Sequence, residues 1–277
     1  MYLVPPGIRK ALEGLQGLKA GTANVGLIYD KFINLWPHWP EEDLDLGAEK
    51  WKAQKKGFRD FLVDQIADHL QQHKQVGALL LDLHQRRRTL ACRLGGKVLQ
   101  ATTASRLVIG LGSQHPFETG FIFHRTLGVP YIPGSSIKGL LRAWADPGND
   151  KVKGWGALGS RERVFELFGD TDEHGCGRLI ILDGLPVSRP LLEIDIVNPH
   201  YGPYYRDPAG PPPADYYSPV PVPFLTVAAG QKFEFILLPA CGGWHPEDLD
   251  QEAKLLMDAL QTLGVGGKTA VGYGIFS

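Results

Sequence analysis

The chain has 277 residues, 43% of them hydrophobic, with 29 Lys/Arg against 30 Asp/Glu. That is enough for a packed core, in one elaborated domain or two small ones. No apolar run nears the roughly 20 residues of a membrane span, and Met1 to Lys10 lacks a secretory signal. Three scattered cysteines, Cys92, Cys176 and Cys241, argue against a disulfide framework and for a reduced, cytoplasmic setting.

In chain order, residues 49–75 are expected to form a helix. Phe58, Phe61, Leu62, Ile66 and Leu70 make one apolar stripe on it. Residues 41–100 as a whole read as mainly helical. Residues 86–142 carry nine Lys/Arg and a single acid, Glu118. A polyanion is the natural partner of such a stretch, because each neutralised phosphate releases counterions. The alternative is that the acidic residues 143–277 fold back and neutralise it. Residues 104–111 alternate as a strand, with Leu107, Ile109 and Leu111 opposite Arg106, Val108 and Gly110. A glycine-rich loop, a short apolar run from Phe121 to Phe123 and a second loop lead to a helix over 135–145. Strands follow at 178–183 and 191–197.

Residues 198–223 hold nine of the 21 prolines and five of the nine tyrosines, the composition of a projecting loop. Residues 224–228 and 232–238 suggest a hairpin around Gly230. The helix over 246–263 is the clearest, with Leu249, Ala253, Leu256, Met257, Leu260 and Leu263 at helical spacing and Gly264 at its end. Val271 to Phe276 reads as a last strand. Strand, helix, strands, helix, strand implies an α+β fold of the split βαβ, ferredoxin-like kind.

Three motifs could carry chemistry. In Pro133-Gly134-Ser135-Ser136-Ile137-Lys138-Gly139-Leu140-Leu141-Arg142 the turn frees backbone amides at a helix start. Lys138 and Arg142, four apart, share a helix face. Such a unit grips a phosphodiester without reading bases; its bland counterpart is a well-capped helix with two exposed cations. The loop from Gly264 to Gly274 has glycines at 264, 266, 267, 272 and 274 around Lys268 and Thr269. It lacks the spacing and the strand-then-helix setting of a nucleotide-binding P-loop, yet can cradle phosphates, or simply connect a helix to a strand. In Asn198-Pro199-His200-Tyr201-Gly202-Pro203-Tyr204-Tyr205-Arg206, rings beside a cation can stack unpaired bases or pack on protein. His69 and His73 lack a third ligand, and Asp172, His174 and Cys176 lack a metal-site spacing, so no metal or cofactor is expected.

The helix motif, Leu167-Phe168-Gly169 and the C-terminal glycine loop together resemble the RAMP superfamily of CRISPR proteins. Asn24-Val25-Gly26-Leu27 with Lys31-Phe32, and Asp195-Ile196-Val197-Asn198-Pro199-His200-Tyr201 with Tyr204-Tyr205, narrow the resemblance to the sixth-subunit family of type III-B (Cmr) effector complexes. The resemblance implies a single RAMP domain over 1–277, a modified RRM-like, ferredoxin-like fold with a helical N-terminal insertion. It implies binding to the 3′ part of the crRNA, contacts with neighbouring Cmr subunits, and proximity to target RNA. Nuclease relatives use an aspartate in the loop after the first strand; here residues 112–134 offer Glu118 and no Asp. A non-catalytic RNA-binding subunit is therefore expected. The RNA contacts expected are Arg106, Gly134, Ser135, Ser136, Lys138, Arg142, His200, Tyr204, Tyr205, Arg206, Gly266, Gly267, Lys268 and Thr269. The alternative is a metal-independent endoribonuclease that processes CRISPR RNA, with His115, His124 or His200 as its base.

Overall fold

The computed structural model describes residues 24–31, 61–115, 119–145, 161–170, 175–201, 204, 212–213, 219, 221–240 and 248–277. Helix α1, Val25–Lys31, is followed by a π-helical turn, Phe61–Ala67, then α2, Asp68–Gln72, and α3, Lys74–Arg93. The stripe read from the sequence is real where it is described: Leu62, Ile66 and Leu70 are fully buried. Residues 49–60 lie outside the described residues. The helix ends at Gln72, because His73 leaves helical geometry at ψ 87°. The 20-residue α3 then starts afresh.

Strand β1, Lys97–Thr102, leads to helix α4, Gly134–Ala145, and helix α5, Arg161–Phe168. Next come β2, Gly169–Asp170; β3, Gly175–Cys176; β4, Leu179–Ile181; β5, Leu185–Pro186; and β6, Leu192–Val197. Strands β7, Val222–Val227, and β8, Lys232–Pro239, precede helix α6, Asp248–Thr262. The main sheet is antiparallel and centres on β8. One edge of β8 pairs with β1, from Lys97↔Leu237 to Thr102↔Lys232; β4 and β5 also pair with β8. A second sheet pairs β6 with β7. Helices α4 and α6 pack on each other; α4 also meets β4, while α6 meets β1 and β8. One apolar cluster joins Val25, Leu80, Ile137, Leu141, Phe235, Leu256 and Phe276, so every layer shares the same core.

The structure corrects several expectations. Residues 104–111 are not a strand. The chain bends at Ala104–Ser105 and makes only one bridge, Leu107↔Val227. Leu107, Val108 and Ile109 are all buried, so apparent alternation was misleading where both sides of the chain are covered. The first strand among the described residues is β1 instead, whose alternation is masked by Lys97 and Gln100. β7 and β8 are not a hairpin: each belongs to a different sheet. The tail is a 3-10 turn, Thr269–Val271, with a single bridge from Phe276 to Thr103. Most of the proline- and tyrosine-rich stretch lies outside the described residues.

Thr103 joins the two sheets. Its amide donates to the Gln231 carbonyl at 2.9 Å and its hydroxyl donates to the Ala228 carbonyl at 2.9 Å. The same hydroxyl oxygen accepts the Gln231 amide at 2.9 Å.

A carboxylate sits in the middle of β8. Glu234 is fully buried, and its oxygens accept from His84 Nδ1 at 2.7 Å, Arg88 Nε at 2.7 Å and Gln100 Nε2 at 3.4 Å. The second ring nitrogen of His84 meets the Pro186 carbonyl at 2.9 Å. Burial pushes the Glu234 carboxyl up, but the hydrogen bonds from His84 and Arg88 hold it below the usual carboxylate range. A folded pKa below the unfolded one gives stability above about pH 4.3, lost as pH falls through the folded value. Glu234→Gln keeps the shape and removes the charge. We expect it to cost about 3 kcal/mol in urea unfolding at pH 7, the low end for breaking a buried pair, since Arg88 is half exposed. Over a pH series, the gap between parent and variant should close in acid; a gap that stays constant to low pH would refute this role.

Candidate nucleic-acid interface

Helix α4 begins where its backbone meets β4. A Cβ on Gly134 would lie 2.3 Å from the Ile181 carbonyl oxygen, so only glycine permits this approach. The Gly134 amide donates to Asp183 Oδ1 at 2.7 Å, and the Ser136 amide donates to the Pro133 carbonyl at 2.9 Å. The cap of α4 is therefore supplied by an aspartate 49 residues away, and Ser135 and Ser136 sit exposed in the first turn. Arg87, nearly buried on α3, donates to the Asp183 carbonyl and fixes this corner.

One turn on, Lys138 and Arg142 face a cleft of about 510 Å³. Ser135 lines the same cleft, opposite Phe168 and Gly169 at the end of α5, Gly175 to Gly177 around β3, and the edge of β4. Two motifs that are 25 residues or more apart in sequence, the α4 start and Leu167-Phe168-Gly169, thus build one surface. Lys138 Nζ donates to the Leu179 carbonyl at 3.0 Å. Partial burial lowers its pKa, Cys176 opposes this, and the Arg142 cation adds to it. An anion placed between the two cations would relieve both penalties. Sequence reasoning missed Cys176 and Ile180 in this wall; the Gly175-x-Gly177 spacing beside Gly169 was the available signal.

The glycine loop lies elsewhere and is tightly built. Gly266 has φ 96°, and a Cβ there would meet the Val108 carbonyl oxygen at 2.2 Å. The Gly267 amide donates to Val108 and the Gly274 amide to Arg106, each at 2.8 Å. Lys268 has φ 60°, the one positive value outside glycine among the described residues. Its ammonium lies 5.9 Å from the Phe224 ring centre. Thr269 opens the 3-10 turn. Arg106 is held by Glu193 at 2.7 Å and Asp195 at 2.8 Å, and the Tyr273 hydroxyl donates to Asp195 at 2.6 Å. His200 and Tyr204 are exposed; Tyr205 and Arg206 lie outside the described residues.

The acidic part of the chain does fold back onto the basic stretch in places. Arg88 is paired with Glu234, Lys97 with Asp250 and Arg106 with Glu193 and Asp195, while Arg86 pairs with Asp82 on its own helix. Arg93, Arg125 and Arg142 carry no ion pair among the described residues. Of the three histidines named as possible bases, His200 is exposed and the other two have hydrogen-bond partners. The Nε2 atom of His115 lies 3.1 Å from the Tyr29 carbonyl oxygen, and His124 Nδ1 accepts from Thr126 and the Leu127 amide.

The profile described as RAMP superfamily matches residues 100–277. The chain is 34% identical to the CRISPR system Cmr subunit Cmr6 of Pyrococcus furiosus, over 62% of this chain and 65% of that protein. It is 29% identical to the CRISPR system CMR subunit Cmr6 of Saccharolobus solfataricus, over 64% of this chain and 56% of that protein. The chain thus spans less than two thirds of the length of these curated relatives. A chain in the cryo-EM structure of the type III-B Cmr-beta bound to cognate target RNA superposes with a TM-score of 0.60 at 22% identity, covering 83% of this chain and 74% of that one. That likeness concerns the fold.

Two glycines of α4 separate packing from function. Gly134→Ala forces backbone against backbone and should destabilise by about 1–3 kcal/mol. Gly139 has open space where a Cβ would go, so Gly139→Ala should stabilise by about 0.5–1 kcal/mol. Thermal unfolding of both variants checks the pair; a fall in Tm for Gly139→Ala would mean the helix is packed there after all.

Proposed function

Because the chain belongs to the RAMP superfamily, we propose that it is a non-catalytic, RNA-holding subunit of a type III-B CRISPR effector complex. It grips the 3′ part of the crRNA through the α4 cleft, touches neighbouring Cmr subunits and lies near target RNA. Its core is ferredoxin-like: an antiparallel sheet centred on β8, with α4 and α6 packed together on it. It acts in the cytoplasm; no helix among the described residues is long and apolar enough to cross a membrane.

One observation carries this reading. Lys138, Arg142, Ser135 and the glycine-rich backbone at 169 and 175–177 line the same open cleft. Cations and a hydroxyl are groups that hold sugar–phosphate without reading sequence. Gly139 supports it. A glycine at an exposed position inside a helix sacrifices stability, and nothing within 4 Å requires it. Its bare backbone leaves room for a strand to lie along the helix between Lys138 and Arg142. The relatives' names support membership of a Cmr assembly. The non-catalytic part of the reading rests on His115 being held against the Tyr29 carbonyl and His124 in a local turn, neither of them lining the cleft.

Lys138→Ala with Arg142→Ala should weaken single-stranded RNA binding and flatten its salt dependence by about 1.4 in log–log slope, about 0.7 for each phosphate that is no longer neutralised. Filter binding over a salt series reads both quantities. Unchanged affinity and unchanged assembly with the other subunits would refute the assignment of α4. Specific cutting of repeat RNA by the purified chain, abolished by a histidine-to-alanine change, would favour the endoribonuclease instead.

A further inference from the structure

A second surface stands at the other end of the segment leading into α4. Residues 123–130 form a tight loop. The His124 amide donates to the Val129 carbonyl at 2.7 Å, the Gly128 amide returns to the His124 carbonyl at 2.8 Å, and Phe123 bridges Pro130. Asn24 caps α1 through the Leu27 amide at 3.0 Å and also donates to the Arg125 carbonyl at 2.8 Å. The loop backbone is therefore fixed from two sides before any ligand arrives.

What this rigid loop presents is unused. Arg125 is exposed, with no ion pair or side-chain hydrogen bond among the described residues. Tyr131 lies between Pro130 and Ile132, both buried, so extended-chain alternation turns it outward, where it is partly exposed. Its ring meets His124 edge-on, with centres 5.7 Å apart and planes at 77°. His124 Nδ1 is occupied as an acceptor by the Leu127 amide and the Thr126 hydroxyl. Burial lowers the His124 pKa, Asp183 opposes this and Arg87 adds to it; with Nδ1 accepting the Leu127 amide, the neutral ring is favoured and serves as an aromatic wall. The nearby Asp183 carboxylate is already spent on the Gly134 amide.

A fixed aromatic pair beside a free guanidinium is the arrangement that stacks an unpaired base and holds its phosphate. Resting on the RNA-holding reading above, we infer that Tyr131, braced by His124, is a stacking platform for one unpaired RNA base, and that Arg125 binds a phosphate of the same strand. The bound strand then has a stacking contact ahead of α4 as well as the charge contacts along it.

The test uses the full chain and a fluorescently labelled single-stranded RNA, with anisotropy measured over a salt series. Tyr131→Ala should weaken binding roughly tenfold with the salt slope unchanged, because stacking releases no counterions. Tyr131→Phe should bind like the parent. Tyr131→Leu, which keeps apolar bulk for folding, should be as weak as the alanine variant. Arg125→Ala should weaken binding and reduce the slope by about 0.7. Parent-like affinity for the Leu and Ala variants, or equal loss in Tyr131→Phe, overturns the inference. So does intact RNA affinity with impaired assembly, which would make the surface a protein contact. If Lys138→Ala with Arg142→Ala weakens RNA binding while the Tyr131 and Arg125 variants do not, this inference alone fails. If the parent binds no RNA, the reading it rests on fails too.

Discussion

A single buried charge organises this chain. β8 is the strand on which β1, β4 and β5 all register, and its residues from Phe233 to Leu238 are shielded from water. Placing Glu234 among them would be costly if nothing answered it. Helix α3 answers with His84 and Arg88, and β1 with Gln100 directly opposite in register. That match fixes how α3 lies across the sheet. Arg87, the neighbour of Arg88, then reaches Asp183, and Asp183 in turn receives the first amide of α4. The position of α4, which lines the cleft, is thus tied, through a short run of polar contacts, to a carboxylate in the sheet interior.

This chain of contacts explains why the basic composition of residues 86–142 overstates what is available to a ligand. Arg87 and Arg88 hold the fold, Lys97 and Arg106 meet acids from the C-terminal half, and Lys138 shares its ammonium with a carbonyl. The guanidiniums left without an ion pair among the described residues are Arg93 at the end of α3, Arg125 ahead of α4 and Arg142 on it. Net charge over a segment reports a sum, whereas binding depends on the remainder after internal pairing.

The elements that were legible in the sequence are those with one buried face. α4 and α6 show clear helical spacing, and their apolar positions, such as Ile137, Leu141, Leu256 and Leu260, are buried as their periodicity implies. β6 and β8 were placed within a residue or two. Elements without a one-sided environment misled. Residues 107–109 are covered on both sides, so their alternation carried no information. β1 pairs a charged residue and an amide with the central strand, and reads as polar. The break at His73 leaves no proline or glycine to mark it. Of the site, the cations and glycines on α4 were visible, because a turn, a hydroxyl pair and two cations at helical spacing are local. The opposing wall came from β2, β3 and β4, and only folding reveals which distant glycines face it.

The joint at Thr103 has a temporal consequence. Its partners Ala228 and Gln231 lie more than a hundred positions downstream, 128 in the case of Gln231. β1 likewise waits for β8 before it has any neighbour on its paired edge. During synthesis from the N-terminus, helices α1 to α4 emerge well before the strand that closes the sheet. Such long-range closure makes a slow, late step. Until it occurs, β1 exposes unpaired backbone that could capture another nascent chain. Lys97 at the start of that strand, and the three consecutive arginines just ahead of it, add like charge there and so work against such association while the rest of the chain is being made.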